Sequence, residues 1–346
     1  MRERLGRVLR HLSYIAYGDE RRPLVLLYHR LGPAVPDPQL LGVSAEHFAE
    51  HLQLISERYV PMPLADVVAA AAEGRAPRSA VAIAFDDGYA DNLFVAKPLL
   101  ERSGIPATVF VASGYVRSGR PFWWDELDRL LLRPGRLPPR LTLEIGDETM
   151  TWNLEEDGPY AHPRAALRMS WTVLDDSDPG PRQRIYRALC DRLRGLDPAE
   201  RERALERLRL VAEPEVPDEA MPRPLTVGEL ARLVEGDLVE VGAHTVNHPA
   251  LAQLPRERQA EEVADSKHEL EEMLGRPISS FAYPFGTSAD FDETTVAVVR
   301  EAGFLRACAN LDGRLTRRTD PFRVPRLLVR DWSGDELARR LGGRAG

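Results

Sequence analysis

The chain has 346 residues, 43% of them hydrophobic and 29% charged, the mix of an ordinary globular protein. Its 46 Lys and Arg against 54 Asp and Glu leave a net charge of −8, which argues against a nucleic-acid binder that gains affinity by neutralising duplex phosphates. No run approaches the ~18 apolar residues of a membrane span, and the two cysteines, Cys190 and Cys308, fit no metal or redox spacing and read as reduced, buried thiols of a cytosolic protein.

The first 22 residues form a basic amphipathic segment. Leu5, Val8, Leu9, Leu12 and Ile15 share one helical face, with Arg2, Arg4, Arg7 and Arg10 away from it. Two readings stay open: a helix packed on the domain, or a weak membrane-surface helix over residues 1–17. The arginines interrupt any signal-peptide core, so the expected compartment is the cytoplasm, with membrane association as the second reading.

From residue 23 onward, short apolar, β-branched runs alternate with helical patterns. The predicted strands are 23–29, 81–87, 107–113, 238–244, 279–285, 305–310 and 322–329. Predicted helices include 44–59, with Ser44 as N-cap and Phe48, Leu52, Ile55 and Tyr59 on one face, and 255–275, ended by Gly275. Strands apolar on both faces and separated by helices predict an α/β fold with a parallel sheet, and about seven units suggest a barrel, complete or incomplete, over residues 23–346. The alternation stops between about 117 and 224. That insertion carries a predicted hairpin over 141–154 turning near Gly146-Asp147, then charged helices, then a Pro-rich linker over 213–224.

Polar residues collect just after the strands. Tyr28-His29, Asp86-Asp87 and His244 each follow an apolar run, and in parallel α/β barrels chemistry gathers at the carboxyl ends of strands. A second histidine, His248, follows in HTVNHP; Pro249 disfavours a helix there, so a loop should turn both rings to one point. Two neutral imidazoles and a carboxylate with an open position form a usual catalytic metal ligand set. A dication held by Asp87 would let Asp86 stay ionised beside it and act as a general base.

The stretches FDDGYADN (85–92), HTVNHP (244–249) and YPFG (283–286) resemble the polysaccharide deacetylases of the NodB-homology group, carbohydrate esterase family four. LLYHRLG (26–32) and FWWDELDRLL (122–131) look like a branch with a large insertion, similar to the poly-N-acetylglucosamine deacetylases. The resemblance covers most of residues 23–332. It implies that the barrel takes a distorted (β/α)7 form. It also implies a metal-dependent hydrolase of linear amide C–N bonds that removes acetyl groups from an N-acetylated amino sugar or glycan; the expected cytoplasmic location, not the resemblance, favours a lipid- or nucleotide-linked precursor over finished polymer. By resemblance Asp87, His244 and His248 hold a divalent ion (zinc first, with cobalt, nickel or iron as alternatives), Asp86 is the base, and Phe285, with Tyr283 and Arg326, lies at the oxyanion and substrate side. No histidine follows His268, and Ala282 stands where the family often has arginine. Closure of a barrel makes the first strand a neighbour of the last, so His29 is the expected general acid, with Arg326 and Asp331 near the same corner.

Two other readings compete. HFAEH (47–51) satisfies H-x-x-E-H and places His47 and His51 on one helical face, as a zinc peptidase would; the Phe48/Leu52/Ile55 stripe instead explains that helix as packing. A catalytically silent carbohydrate-binding or scaffold barrel is the other. Trp123 and Trp124 are either a sugar platform or an anchor for the insertion, and Tyr115 is similarly open.

Overall fold

The computed structural model describes residues 22–32, 36–155, 170–217 and 221–342. The reading of residues 1–17 therefore lies outside the described residues, as do His11 and His162.

In chain order the elements that build the site are β1 (Leu24–Tyr28), α1 (Ala45–Arg58), β2 (Ala80–Phe85), β3 (Ala107–Val111), the hairpin strands β4 (Arg140–Ile145) and β5 (Glu148–Asn153), α2 (Pro181–Leu193), α3 (Pro198–Val211), β6 (Val239–Ala243), α4 (Arg256–Leu274), β7 (Ser280–Ala282), α5 (Glu293–Glu301), β8 (Arg306–Ala309), β9 (Val324–Pro325) and β10 (Leu327–Leu328). The strands of the main sheet run in the order β9-β8-β7-β6-β3-β2-β1-β10, and every pairing along that path is parallel. β9 and β10 are consecutive pieces of one stretch, separated by Arg326 alone. One end of that stretch pairs with β8 and the other with β1, so a single segment closes the sheet into a barrel. Seven chain segments make that path, as the alternation predicts, and an eighth, Val60–Pro61, pairs in parallel with the start of β2 off it.

Period-two alternation sends neighbouring side chains to opposite faces. Leu24, Leu26 and Tyr28 join Val81, Ile83 and Phe85 under Phe48, Leu52 and Ile55 of α1. Val25, Ala82, Ala84, Phe110, Ala282 and Cys308 pack together on the other face. Gly242 is required there: a Cβ would lie 2.5 Å from the Phe110 ring. Helix ends follow their predicted chemistry. The Ser44 side chain accepts from the His47 N–H at 3.2 Å, and Gly275 caps α4 with φ +63°.

Between β3 and β6 the chain forms a second apolar cluster, built on Phe122, Trp123, Trp124, Leu127, Leu141, Leu143, Tyr186 and Leu205. The hairpin turns at Gly146, φ +58°. The charged helical stretch is two helices, α2 and α3, and Asp197 caps the second through the Ala199 N–H at 2.9 Å. The linker expected over 213–224 is corrected in part. Its end is tied to the loop after β2: Ala90 N–H donates to Arg223 O and Leu225 N–H to Gly88 O, both at 2.9 Å.

Candidate metal centre

Strand register assembles the site. Tyr28 pairs with Phe85, so His29 and Asp86 leave adjacent strands side by side. Ala243 pairs with Val111 and with Phe281, so His244 emerges beside Ala112 and Ala282. The loop after β6 then brings back His248. Its backbone is held on several sides: Glu262 of α4 accepts from the N–H groups of Val246 (3.0 Å) and Asn247 (2.8 Å), Thr245 Oγ1 accepts from His248 N–H (2.9 Å), and Arg201 of α3 donates to the carbonyls of Asn247 and His248. Asp87, Thr245, His248 and Phe285 all have positive φ, +74°, +65°, +55° and +59°. Non-glycine residues in that region cost about 1–3 kcal/mol each and persist where the surroundings over-determine them. Four such residues around one point mark a site held in shape by its neighbours.

The expected ligands meet. Asp87 Oδ1 lies 3.6 Å from His244 Nε2 and 3.3 Å from His248 Nε2, and one donor atom from each residue falls within 4.8 Å of the others. All three side chains are buried. His244 Nδ1–H donates to Ala282 O at 2.7 Å, which leaves the Nε2 lone pair facing Asp87. Burial pulls His244 down to about 4, against the opposing pull of Asp86, and pulls His248 down to about 3, with Arg201 adding to the effect. Both rings are therefore neutral at ordinary pH, the form that binds a metal. Asp87 is raised, by burial first, and its Oδ1 has no hydrogen-bond partner. A buried carboxylate oxygen without a donor, facing two imidazole lone pairs, fits a divalent cation.

Asp86 sits in a different environment. Burial opposes its charge, but Arg326 outweighs it: Nη1 donates to Oδ1 at 2.7 Å and Nη2 to Oδ2 at 2.8 Å, and the carboxyl is held below its ordinary range. Oδ2 also lies 3.9 Å from His244 Nε2, at the edge of the ligand cluster. Arg326 is thus a buried counter-charge to Asp86, a contact the sequence reading did not make. The Tyr283 side chain packs in the core instead: it is buried, its ring stacks on Phe291 at 4.2 Å, and its hydroxyl donates to Phe322 O at 3.0 Å. Phe285 does reach the centre, with its ring 4.8 Å from that of His248. His29 Nδ1 is buried without a partner, and burial lowers its pKa although Asp87 and Asp86 pull it upward.

Asp331 lies away from this corner. It accepts from the Ser44 N–H at 2.9 Å and pairs with His47 Nδ1 at 2.6 Å. His51 is buried between Tyr28 OH (3.2 Å) and Trp332 O (2.7 Å). The two histidines of HFAEH thus have separate partners, and among the described residues the one cluster able to hold a metal is Asp87, His244 and His248. Trp123 and Trp124 are 3% and 5% exposed, in the cluster of the second core, with Tyr115 packed against it. The anchor reading holds, and Trp124 additionally touches His248, with ring centroids 4.7 Å apart.

Fold and site together define an α/β barrel with a buried Asp-His-His centre at the carboxyl ends of its strands. The sequence profile described as "Polysaccharide deacetylase" matches residues 73–137 and 219–307, on either side of the hairpin, α2 and α3. The chain belongs to the polysaccharide deacetylase family. Among solved structures it is similar to the Streptococcus pyogenes deacetylase PplD in complex with acetate, at 17% identity and TM-score 0.56 over 92% of this chain and 98% of that one. IcaB from Ammonifex degensii has 18% identity and TM-score 0.56, over 93% and 97% of the two chains. A polysaccharide deacetylase from Bacillus cereus has 15% identity and TM-score 0.52, covering 93% of this chain and 69% of its own. These likenesses concern the fold. No curated protein matches the chain.

Proposed function

We propose that the protein removes the acetyl group from an N-acetylated amino sugar of a glycan, with Asp87, His244 and His248 holding a divalent ion. The observation that carries this reading is the ionised Asp86 beside an unsatisfied Asp-His-His cluster. Zinc suits two imidazoles and one carboxylate. The ion, when bound, polarises the acetyl carbonyl and acidifies a water.

Asp86 accepts the proton of the attacking water. Arg326 takes one lone pair from each of its oxygens, which makes it a weak base but keeps it charged in a buried site. The backbone N–H of Phe285, bonded to no other group among the described residues, supplies a donor for the carbonyl oxygen as charge develops on it. The carbon–nitrogen bond then breaks, acetate forms, and the leaving nitrogen needs a proton. His29, beside Asp86 in register, is the group assigned to give it. The aromatic ring of Phe285 and the indole of Trp124 flank His248 and limit water there.

The test is acetate release from N-acetylglucosamine oligomers by the purified full-length chain, with and without a chelator. Chelator-sensitive release, lost in Asp86→Asn, supports the proposal. Tight glycan binding without release would mean a silent carbohydrate-binding barrel instead.

A further inference from the structure

The two histidines of the centre are oriented by different means. His244 follows the usual pattern: its second nitrogen donates to a backbone carbonyl, Ala282 O, at 2.7 Å. His248 has no such anchor. Its Nδ1 is buried without a hydrogen-bond partner, apart from a weak approach to its own backbone. A ring free of hydrogen bonds on that side must be held by packing, and its neighbours form a continuous chain of contacts. Trp124 lies 4.7 Å away with its plane tilted by 57°, Phe285 meets it edge-on at 4.8 Å, and the Arg194 guanidinium covers Phe285 at 4.4 Å. Both ends of that chain, Trp124 and Arg194, come from the stretch between β3 and β6.

Trp124 is itself fixed. Its Nε1–H donates to Tyr89 OH at 2.8 Å, and Tyr89 OH donates to Asp125 Oδ2 at 2.7 Å. Tyr89 stands two residues after Asp87, in the same turn. Phe122 stacks on Trp124 at 5.0 Å with planes 11° apart. One indole therefore joins the turn that carries Asp87 to the ring of His248.

We propose that Trp124 is the positioning residue for His248, taking the part that the Ala282 carbonyl plays at His244. The inserted stretch thereby completes the metal centre without supplying a ligand. This rests on the reading of Asp87, His244 and His248 as ligands, and the experiment separates the two.

Cobalt binding to the full-length chain is measured by competition with a chelator, together with the visible absorption of the cobalt form and the thermal midpoint of the metal-free protein. Wild type binding no divalent ion would sink the ligand reading and this proposal with it. Given binding, Trp124→Leu should raise the metal Kd about 10- to 100-fold, the usual effect of losing a ligand's supporting partner, and should shift the cobalt bands. Trp124→Phe keeps a ring against His248 and should recover most of the affinity. Tyr89→Phe, which frees the indole N–H, should give an intermediate loss. Trp171→Leu is the control: Trp171 is buried in the same second core and its rings meet Tyr186, not His248. It should lower the thermal midpoint and leave the Kd within twofold. If Trp124→Leu also stays within twofold, or Trp171→Leu weakens cobalt as much, Trp124 is a structural anchor only and the proposal fails. If Trp124→Leu does not fold, Tyr89→Phe decides: unchanged affinity and bands overturn the proposal.

Discussion

Arg326 and Asp86 meet in a two-pronged ion pair, 2.7 and 2.8 Å, across 240 positions of sequence. Neither group is solvated: Arg326 is 1% exposed and Asp86 3%. Breaking a buried pair by removing one partner strands the other charge and costs about 3–5 kcal/mol. Arg326→Met should destabilise the fold by about that much in urea unfolding. Arg326→Lys restores the charge without the fork and should fall between the two.

On the proposed mechanism, the two adjacent acids separate by phenotype. Asp86→Asn should lower kcat by about 100- to 10,000-fold, the range of a lost general base, with metal content unchanged by elemental analysis. Asp87→Asn should lose the metal, as should His244→Ala and His248→Ala. The double variant His47→Ala/His51→Ala should keep it, because those rings face Asp331 on one side and Tyr28 with Trp332 on the other. Metal loss in that double variant would revive the peptidase reading.

His29 gives a pH dependence with a definite sign. Its folded pKa is depressed below 6.5 by burial, outweighing Asp87 and Asp86, so the protonated ring becomes scarce as pH rises. If it protonates the leaving amine, kcat/KM should already be falling as pH passes 6.5. His29→Gln should lower the whole profile and remove that limb. A profile that climbs unbroken from pH 6 to 8 would count against His29 as the acid.

His51 makes a second pH prediction, on stability. Burial takes it from 6.5 to about 4, opposed by the Trp332 carbonyl. The unfolded chain then binds more protons than the folded one between those values, so the contribution is present above 6.5 and is lost as pH falls toward 4. At about 1.4 kcal/mol per pH unit it amounts to about 3 kcal/mol. Unfolding of wild type and His51→Gln, both in excess chelator, should show the wild type losing more stability between pH 7 and 4.5.

Bringing Leu141, Trp124 and Leu205 into one cluster required contacts across the inserted stretch that no local pattern records. The barrel was easier to read. Its strands are apolar on both faces and its helices carry one stripe, so period alone placed Leu24–Tyr28 and Ala45–Arg58 within a residue or two. The ligand trio was legible because strand ends in such a barrel converge. Arg326 was harder: nothing in the sequence paired it with Asp86, and only closure of the sheet brings the two together across 240 positions. Tyr283 shows the converse. It lies two residues from Phe285 in sequence, but its ring packs on Phe291 in the core.

The segment that closes the barrel is also the one that neutralises Asp86, since Val324–Pro325 and Leu327–Leu328 pair with opposite walls and Arg326 lies between them. Ring closure and charge compensation therefore fall to one five-residue stretch. During vectorial synthesis the acids are made first and their cation last. Without residues 324–328 in place the sheet has two open edges and the Asp86 carboxylate lacks its guanidinium. Completion of the scaffold and neutralisation of its buried acid depend on the same late residues.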